Sequence, residues 1–161
     1  MRLRSLLGTA ATAVLLVAGL TTTAGAAQAP AASGSGRTMN MPAAPVDTGP
    51  RAVAAASPSV SPYAPSKHYP GGTTGVPCPT GSFCTAVWDY SSGDWEVFTF
   101  DPCARYSVSN WDGVGYYANN QTGDRATATL YGQAGNKLKD VQVGVGGSYD
   151  WSPVWSIRNC Y

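Results

Sequence analysis

A stretch of ten residues that recurs 40 positions later constrains the fold of this 161-residue chain more than any other sequence feature. The two copies are residues 110–119 and 150–159. Upstream of each copy an aromatic strand end runs into a glycine turn, at 88–93 and at 131–135. The identical pairs are Trp111 and Trp151, Val114 and Val154, and Asn119 and Asn159. Two similar units of about 40 residues predict a duplicated β motif.

From Phe83 onward, short apolar or alternating runs are separated by glycine-rich turns, and no eleven-residue window has a helical period. The stretch 103–113 and the segment opened by Gly146 and Gly147 are expected to be loops. The predicted strands are residues 83–88, 95–100, 114–118, 126–131, 138–145 and 154–158. We therefore expect an all-β domain of two Greek-key motifs packed as a sandwich, preceded by a disordered linker.

The N-terminal residues 1–26 have the pattern of a secretory signal peptide. Residues 1–4 are basic, residues 6–20 are apolar, and a small-x-small site at residues 24–26 precedes Ala27. The apolar run is short and no basic stop-transfer residues follow it, which argues against a membrane anchor. We expect a secreted, extracellular protein that has no membrane contact after cleavage.

Residues 27–77 are dominated by Ala, Pro, Ser, Gly and Thr and include nine prolines. Such a composition offers little apolar surface to offset the entropy of folding, so we expect a flexible linker or a removable pro-segment. The folded domain is predicted at 78–161, where 15 aromatic residues are concentrated. A domain of this size is marginally stable without cross-links.

Four cysteines in an exported chain predict two disulfide bonds. Three pairings are possible, and we favour Cys78 with Cys84 across a tight turn and Cys103 with Cys160. The chain has no CxxC pair, and its one histidine, His68, lies outside the region bounded by the cysteines, which argues against zinc.

Charge and residue types exclude several functions. From Cys78 onward there are five basic and eight acidic residues, so the domain lacks the basic surface that nucleic acid or an anionic membrane requires. No histidine follows His68, so no Ser-His-Asp triad is expected within the domain. Glu96 could form a carboxylate pair with Asp94. However, a solvated Glu96 on a strand is the expectation, so we predict no catalytic residue and no cofactor.

Two kinds of ligand remain open as alternatives. Calcium could bind turn aspartates, although aspartate also occupies turns for local backbone reasons. A polysaccharide could bind exposed aromatic rings, whereas Trp111 and Trp151 are expected to form a symmetric core pair. The turn aspartates are Asp89, Asp94, Asp112 and Asp124, and the aromatic residues that could be exposed are Tyr116, Tyr117, Tyr149 and Trp155.

The segment 101–106 is the candidate inhibitory loop. It follows a strand, contains a proline and is expected to be tied to the C-terminus through Cys103, so it could present an extended segment at low ordering cost. A plain disulfide-tethered connection between the two units is the alternative. The residues concerned are Pro102, Cys103, Ala104, Arg105 and Tyr106.

Several runs of the sequence resemble the secreted metalloproteinase inhibitor family of streptomycete type. They are CPTGSFC at 78–84, YANNQTG at 117–123 and VWSI at 154–157, before the final Cys160. The resemblance implies a βγ-crystallin-like fold and inhibition of zinc endopeptidases by a substrate-like loop, without a cofactor. We therefore expect a monomeric secreted inhibitor of a metallo- or serine peptidase, with a non-catalytic structural or binding module for envelope polysaccharide or weakly bound calcium as the alternative.

Overall fold

The computed structural model describes residues 37–46 and 56–160, so the predicted signal peptide lies outside the described residues. The secondary structure in this part of the chain is β throughout, and none of it is a helix long and apolar enough to cross a membrane. The twelve strands are β1 (Arg37–Met39), β2 (Ser59–Ser61), β3 (Ser66–Tyr69), β4 (Val76–Cys78), β5 (Phe83–Asp89), β6 (Asp94–Phe100), β7 (Ala104–Ser109), β8 (Val114–Asn119), β9 (Thr127–Tyr131), β10 (Lys137–Gln142), β11 (Gly146–Asp150) and β12 (Ser156–Cys160).

Two five-stranded antiparallel sheets are built from two Greek keys that exchange their third strands. One sheet has the order β11-β8-β5-β6-β3, and the other has the order β10-β9-β12-β7-β2. The first repeat thus places β5, β6 and β8 in one sheet and sends β7 to the other. The second repeat places β9, β10 and β12 in the second sheet and contributes β11 to the first. The predicted all-β sandwich of two Greek keys is confirmed.

The main core lies between the two sheets. Trp111 and Trp151 meet at its centre edge to face, with ring centroids 5.2 Å apart, which confirms the predicted symmetric pair. The surrounding side chains come from strands of both repeats and include Phe83, Val87, Phe98, Phe100, Tyr106, Tyr117, Leu130, Val141 and Ile157. Such a shared core requires the two repeats to fold as one unit.

A second apolar cluster covers the outer face of the sheet that contains β5. The β1–β4 strand pair packs there, with Met39, Met41 and Val76 against Trp88 and Trp95. Every residue of β5 is consequently buried. A strand buried on both faces loses the alternation expected of a half-exposed strand.

The prediction of a flexible linker over 27–77 is wrong for residues 37–46 and 56–77. Four strands begin in these segments, and the boundary placed at residue 78 falls inside β4. The composition was a poor guide because a segment needs few apolar side chains of its own to pack on an existing sheet. The sheet already supplies an apolar face and free strand edges. The side chains that become buried are Met39, Met41, Ala64 and Val76.

Two predicted loops are strands, namely β7 and β11, the third strands of the two repeats. Within β11, Gly146 and Gly147 pair with Ala118 and Tyr117 of β8. A Cβ at Gly147 would lie 3.2 Å from the hydroxyl oxygen of Tyr117, so a small residue suits this position. Both strands depend on partners in the opposite repeat, which a local sequence pattern does not reveal.

Candidate functional site

The predicted inhibitory loop is half loop and half strand. Ala104, Arg105 and Tyr106 open β7, where Ala104 pairs with Asn159 and Arg105 pairs with Arg158 of β12. Tyr106 is buried. The prediction of a loop is therefore wrong for Ala104–Tyr106, because β12 supplies a backbone hydrogen-bonding edge for these residues.

The first half of the segment is an exposed bend, Asp101–Cys103, which we call the 101–103 bend. The hydroxyl of Ser82 donates a hydrogen bond to the Asp101 carboxylate. The carbonyl oxygen of Pro102 accepts bonds from the hydroxyl of Tyr106 at 3.0 Å and from Nδ2 of Asn159 at 3.5 Å. Cys103 is bonded to Cys160. Each residue of the bend thus has its own side-chain or covalent tie to the scaffold.

The disulfide pairing predicted from the sequence is confirmed. Cys78 joins Cys84 over a separation of 6 residues, and Cys103 joins Cys160 over 57. The second bond links the 101–103 bend to β12, and β12 is the central strand of its sheet. Two disulfides fit an oxidising environment.

Tyr106 packs in the main core and also forms a hydrogen bond to the 101–103 bend. Its ring stands edge to face with Phe100 at 4.8 Å. Burial of the phenol and the nearby negative charge of Asp101 both raise the pKa of Tyr106 above its usual value. The phenol therefore stays protonated at neutral pH and remains a donor to the carbonyl of Pro102.

Two arginines lie beside the bend on the outer face of the sheet. Arg105 and Arg158 are directly opposite one another on β7 and β12, so their side chains point to the same side. The guanidinium of Arg105 lies 4.0 Å from the ring centroid of Tyr131, a cation–π distance. The acidic domain thus presents a local basic surface next to the 101–103 bend.

Glu96 is buried, at 7% exposure, so the prediction of a solvated carboxylate is wrong. The reason is β3, which pairs with β6 and places His68 directly opposite Glu96. Ser66 Oγ donates a hydrogen bond to Glu96 Oε1 at 2.8 Å, and His68 Nε2 lies 4.0 Å from the same oxygen. Sequence reasoning missed His68 because it lies in a segment taken for a linker.

The four turn aspartates do not converge on one calcium site within the described residues. Asp89 is the only one that joins a cluster of three potential metal ligands, and its companions there are His68 and Glu96. Asp112 instead accepts a hydrogen bond from Ser152 Oγ at 2.8 Å. The remaining two are Asp94, opposite Asp89 at the end of the β5–β6 hairpin, and Asp124, in an exposed turn.

The aromatic residues that were candidates for a sugar-binding surface are mostly not exposed. Tyr117 is buried, and Tyr116 and Tyr149 are half-buried. Trp155 is 51% exposed and lines a shallow pocket with Asp112 and Ser152. One exposed indole beside polar side chains is thus present, whereas the other three rings are buried or half-buried.

An open groove of about 760 Å³ runs between β1 and the β8–β11 edge of the sheet. Among the described residues its lining contains one cation, Arg37, and two tyrosines, Tyr116 and Tyr117, with no carboxylate, thiol or imidazole. General acid–base catalysis needs a pair of groups that exchange protons near neutral pH, and these described lining residues do not include one.

Comparisons of the chain with protein-family models, with curated proteins and with solved structures found no match.

Proposed function

We propose that this protein is a secreted, non-catalytic peptidase inhibitor, monomeric when free, that contacts its target through the 101–103 bend. The observation that carries the proposal is that all three residues are exposed and that each is tied to the scaffold by a disulfide or a hydrogen bond. The bend is tied by the Cys103–Cys160 disulfide and by hydrogen bonds to Asp101 and Pro102.

Rigidity supports inhibition because association loses less entropy when the binding segment is already ordered. A rigid segment also resists the movement that follows peptide-bond cleavage. The cross-linked ends of the bend would stay in place after a cut, so the cleft would remain blocked. The basic side chains of Arg105 and Arg158 next to the bend offer a charged rim for contacts with acidic groups of a peptidase.

Secretion is part of the same proposal. The signal-peptide pattern at 1–26 and the two disulfides both fit export to an oxidising compartment. N-terminal sequencing of protein recovered from the culture medium tests this step, and the expected first residue is Ala27. A product that begins after residue 77 would instead support the pro-segment alternative.

Inhibition is tested with the oxidised protein that begins at Ala27. Residual activity of a thermolysin-like zinc peptidase and of a subtilisin-like serine peptidase is followed as the protein is titrated. We expect stoichiometric inhibition of at least one enzyme, with any slow cut falling between Asp101 and Ala104. Absence of inhibition at micromolar concentration by folded protein would overturn the proposal.

Matched variants locate the contact. Arg105→Ala removes an exposed side chain beside the bend and is expected to weaken inhibition about tenfold or more. Val143→Ala alters the equivalent connection of the second repeat, which has no disulfide, and is expected to leave inhibition unchanged. Equal inhibition by both variants would place the contact elsewhere on the surface.

One observation favours the alternative of polysaccharide binding, namely the half-exposed indole of Trp155 beside Asp112 and Ser152. An aromatic face can stack on a sugar ring while neighbouring polar groups bond its hydroxyls. Trp155→Ala should abolish retention by cell-envelope polysaccharide if this alternative holds, without changing peptidase inhibition. Trp155 lies outside the 101–103 bend, so the two functions are separable by mutation.

A further inference from the structure

We propose that His68, Asp89 and Glu96 form a binding site for a divalent transition-metal ion, with Zn²⁺ as the ion that best fits the donor set. One potential ligand atom from each residue lies within 4.8 Å of the other two. We refer to these three residues as the His-Asp-Glu cluster. The site is independent of the proposed inhibition, because none of its residues belongs to the 101–103 bend.

The cluster is assembled by three neighbouring strands. His68 on β3 pairs directly with Glu96 on β6, so the two side chains project from the same face of the sheet. Asp89 ends β5, the strand on the other side of β6. Two of the ligands therefore come from the domain that the sequence predicts, and the third comes from a segment that docks as an edge strand.

The buried side chain of Glu96 is the strongest indication of a cation site. It is 93% buried, as its 7% exposure shows, and Oε1 accepts a bond from Ser66 at 2.8 Å. Oε2 is buried and has no hydrogen-bond partner. A buried carboxyl oxygen without a partner is costly, since its lost hydration is not replaced. A metal ion between Glu96 and its neighbours would supply that interaction.

The imidazole ring of His68 has the orientation that is typical of metal-bound histidines. Ser92 Oγ lies 3.3 Å from Nδ1, and Nε2 faces Glu96 Oε1 at 4.0 Å. When the Nδ1 proton is donated to Ser92, the lone pair of Nε2 points toward the cluster. Outer hydrogen bonds of this kind fix the tautomer and the ring direction of metal-bound histidines. The side chain is 44% exposed, so the ring has room to adjust.

Asp89 is oriented by the turn that follows β5. Its Oδ1 accepts bonds from the backbone N of Ser91 at 2.8 Å and from Ser91 Oγ at 2.7 Å. These two bonds orient the carboxylate, and one of its oxygens lies within 4.8 Å of the potential ligand atoms of His68 and Glu96.

The donor types select the class of ion. One imidazole nitrogen and two carboxylate oxygens suit Zn²⁺ with a fourth position open, whereas Ca²⁺ takes six to eight oxygen ligands. All four cysteines are in disulfides and do not compete. Tetrahedral Zn²⁺ separates its nitrogen and oxygen ligands by about 3.3 Å, so the cluster must contract by about 1.5 Å from its widest span. Rotation of the exposed His68 ring can change its distances to the two carboxyl groups.

The test uses untagged, oxidised protein freed of metal by a chelator and titrated with Zn²⁺. His68 is the only histidine in the chain, so a single set of imidazole signals in the NMR spectrum reports on the site. We expect saturable binding of one ion per chain, a shift of the His68 signals that saturates with it, and a higher melting temperature with Zn²⁺.

Four variants make the test specific. His68→Ala, at an exposed side chain, and Glu96→Gln should each lower Zn²⁺ affinity more than about tenfold, and Ser92→Ala should lower it about tenfold through ring orientation. Asp94→Asn changes a nearby carboxylate outside the cluster and should bind Zn²⁺ like the parent protein. The melting temperature without metal shows that each variant is folded. The proposal fails if no saturable binding occurs, or if binding neither moves the His68 signals nor depends on Glu96.

Discussion

Asn119 and Asn159, which are 40 positions apart, make the same hydrogen bond in opposite directions across the sandwich. Asn119 Nδ2 donates to the carbonyl oxygen of Val141 at 2.7 Å, and Asn159 Nδ2 donates to that of Phe100 at 2.7 Å. Each asparagine is the last or the penultimate residue of the fourth strand of one repeat, and each acceptor is the last or the penultimate residue of the second strand of the other repeat. The repeated asparagine therefore joins the two repeats reciprocally.

Replacing either asparagine should destabilise the whole domain. Asn119→Ala removes the buried hydrogen bond to the carbonyl of Val141 and also the bond from the backbone N of Gln121 to Asn119 Oδ1. We expect a loss of about 1–3 kcal/mol in the free energy of unfolding, measured by urea denaturation. Asn159 Oδ1 has no partner, so Asn159→Ala should cost less than Asn119→Ala. A larger cost for Asn159→Ala would contradict this ranking.

Gly115 is required by the close approach of Trp151. A Cβ at this position would lie 2.1 Å from the carbonyl oxygen of Ala86 and 2.3 Å from Trp151 Nε1. The indole N–H donates to the same carbonyl at 3.1 Å. We expect Gly115→Ala to lower the free energy of unfolding by about 1–3 kcal/mol or more. Ser148→Ala, at an exposed position of the neighbouring strand, should change it by less than about 0.5 kcal/mol.

The two disulfides should contribute unequally to stability. In the chain-entropy model, the bond that closes 57 residues stabilises by about 4 kcal/mol, and the bond that closes 6 residues by about 2 kcal/mol. Cys103→Ser with Cys160→Ser should therefore lower the denaturation midpoint more than Cys78→Ser with Cys84→Ser. Urea denaturation of the two double variants measures the difference. An equal or reversed order would show that effects other than loop closure dominate.

Alkaline pH should weaken the fold through Tyr106. Its pKa is raised in the folded protein, so this phenol contributes stability that is fully present below its unfolded pKa of about 10. That contribution is lost as the pH rises through the folded pKa. Tyr106→Phe should cost about 0.5–1.5 kcal/mol at pH 8, through the lost bond to Pro102. The gap between parent and variant should shrink at pH 11, and a constant gap would contradict the assignment.

Much of the fold was predictable because the determining signals repeat or are local. The Trp111 and Trp151 pair, the glycine turns and the disulfide pairing all follow from spacing and residue type. The strands β7 and β11 were missed because each is paired across repeats, so their stability comes from partners that are distant in sequence. A pattern within a few neighbouring residues does not indicate pairing with a strand that is distant in sequence.

The His-Asp-Glu cluster was hidden for a related reason. His68 is surrounded in sequence by Pro, Ser and Tyr, and nothing nearby marks it as a partner of Glu96, 28 positions later. The contact arises because β3 docks on the free edge of β6. Burial of Glu96 has the same origin. Site residues that meet through edge-strand docking are thus less predictable than those within one hairpin.

The segment before residue 78 should prove essential to the folded state. Removing residues 27–77 deletes β1, β2, β3 and most of β4, and exposes the outer apolar face that includes Trp88, Trp95 and Val97. Burial of a large apolar side chain stabilises by roughly 1.5–3 kcal/mol, so the truncated domain should have a much lower denaturation midpoint. It should also self-associate in size-exclusion chromatography, because large exposed apolar patches promote association.

Two substitutions in the same segment, one at a buried and one at an exposed side chain, measure how much packing of this segment contributes to stability. Met41 is 2% exposed and packs in the outer apolar cluster, whereas Val46, five positions later, is 95% exposed. Met41→Ala should cost about 2–5 kcal/mol in the free energy of unfolding, and Val46→Ala should have no measurable effect. If Met41→Ala is as stable as the parent protein, the β1–β4 pair does not contribute to the core.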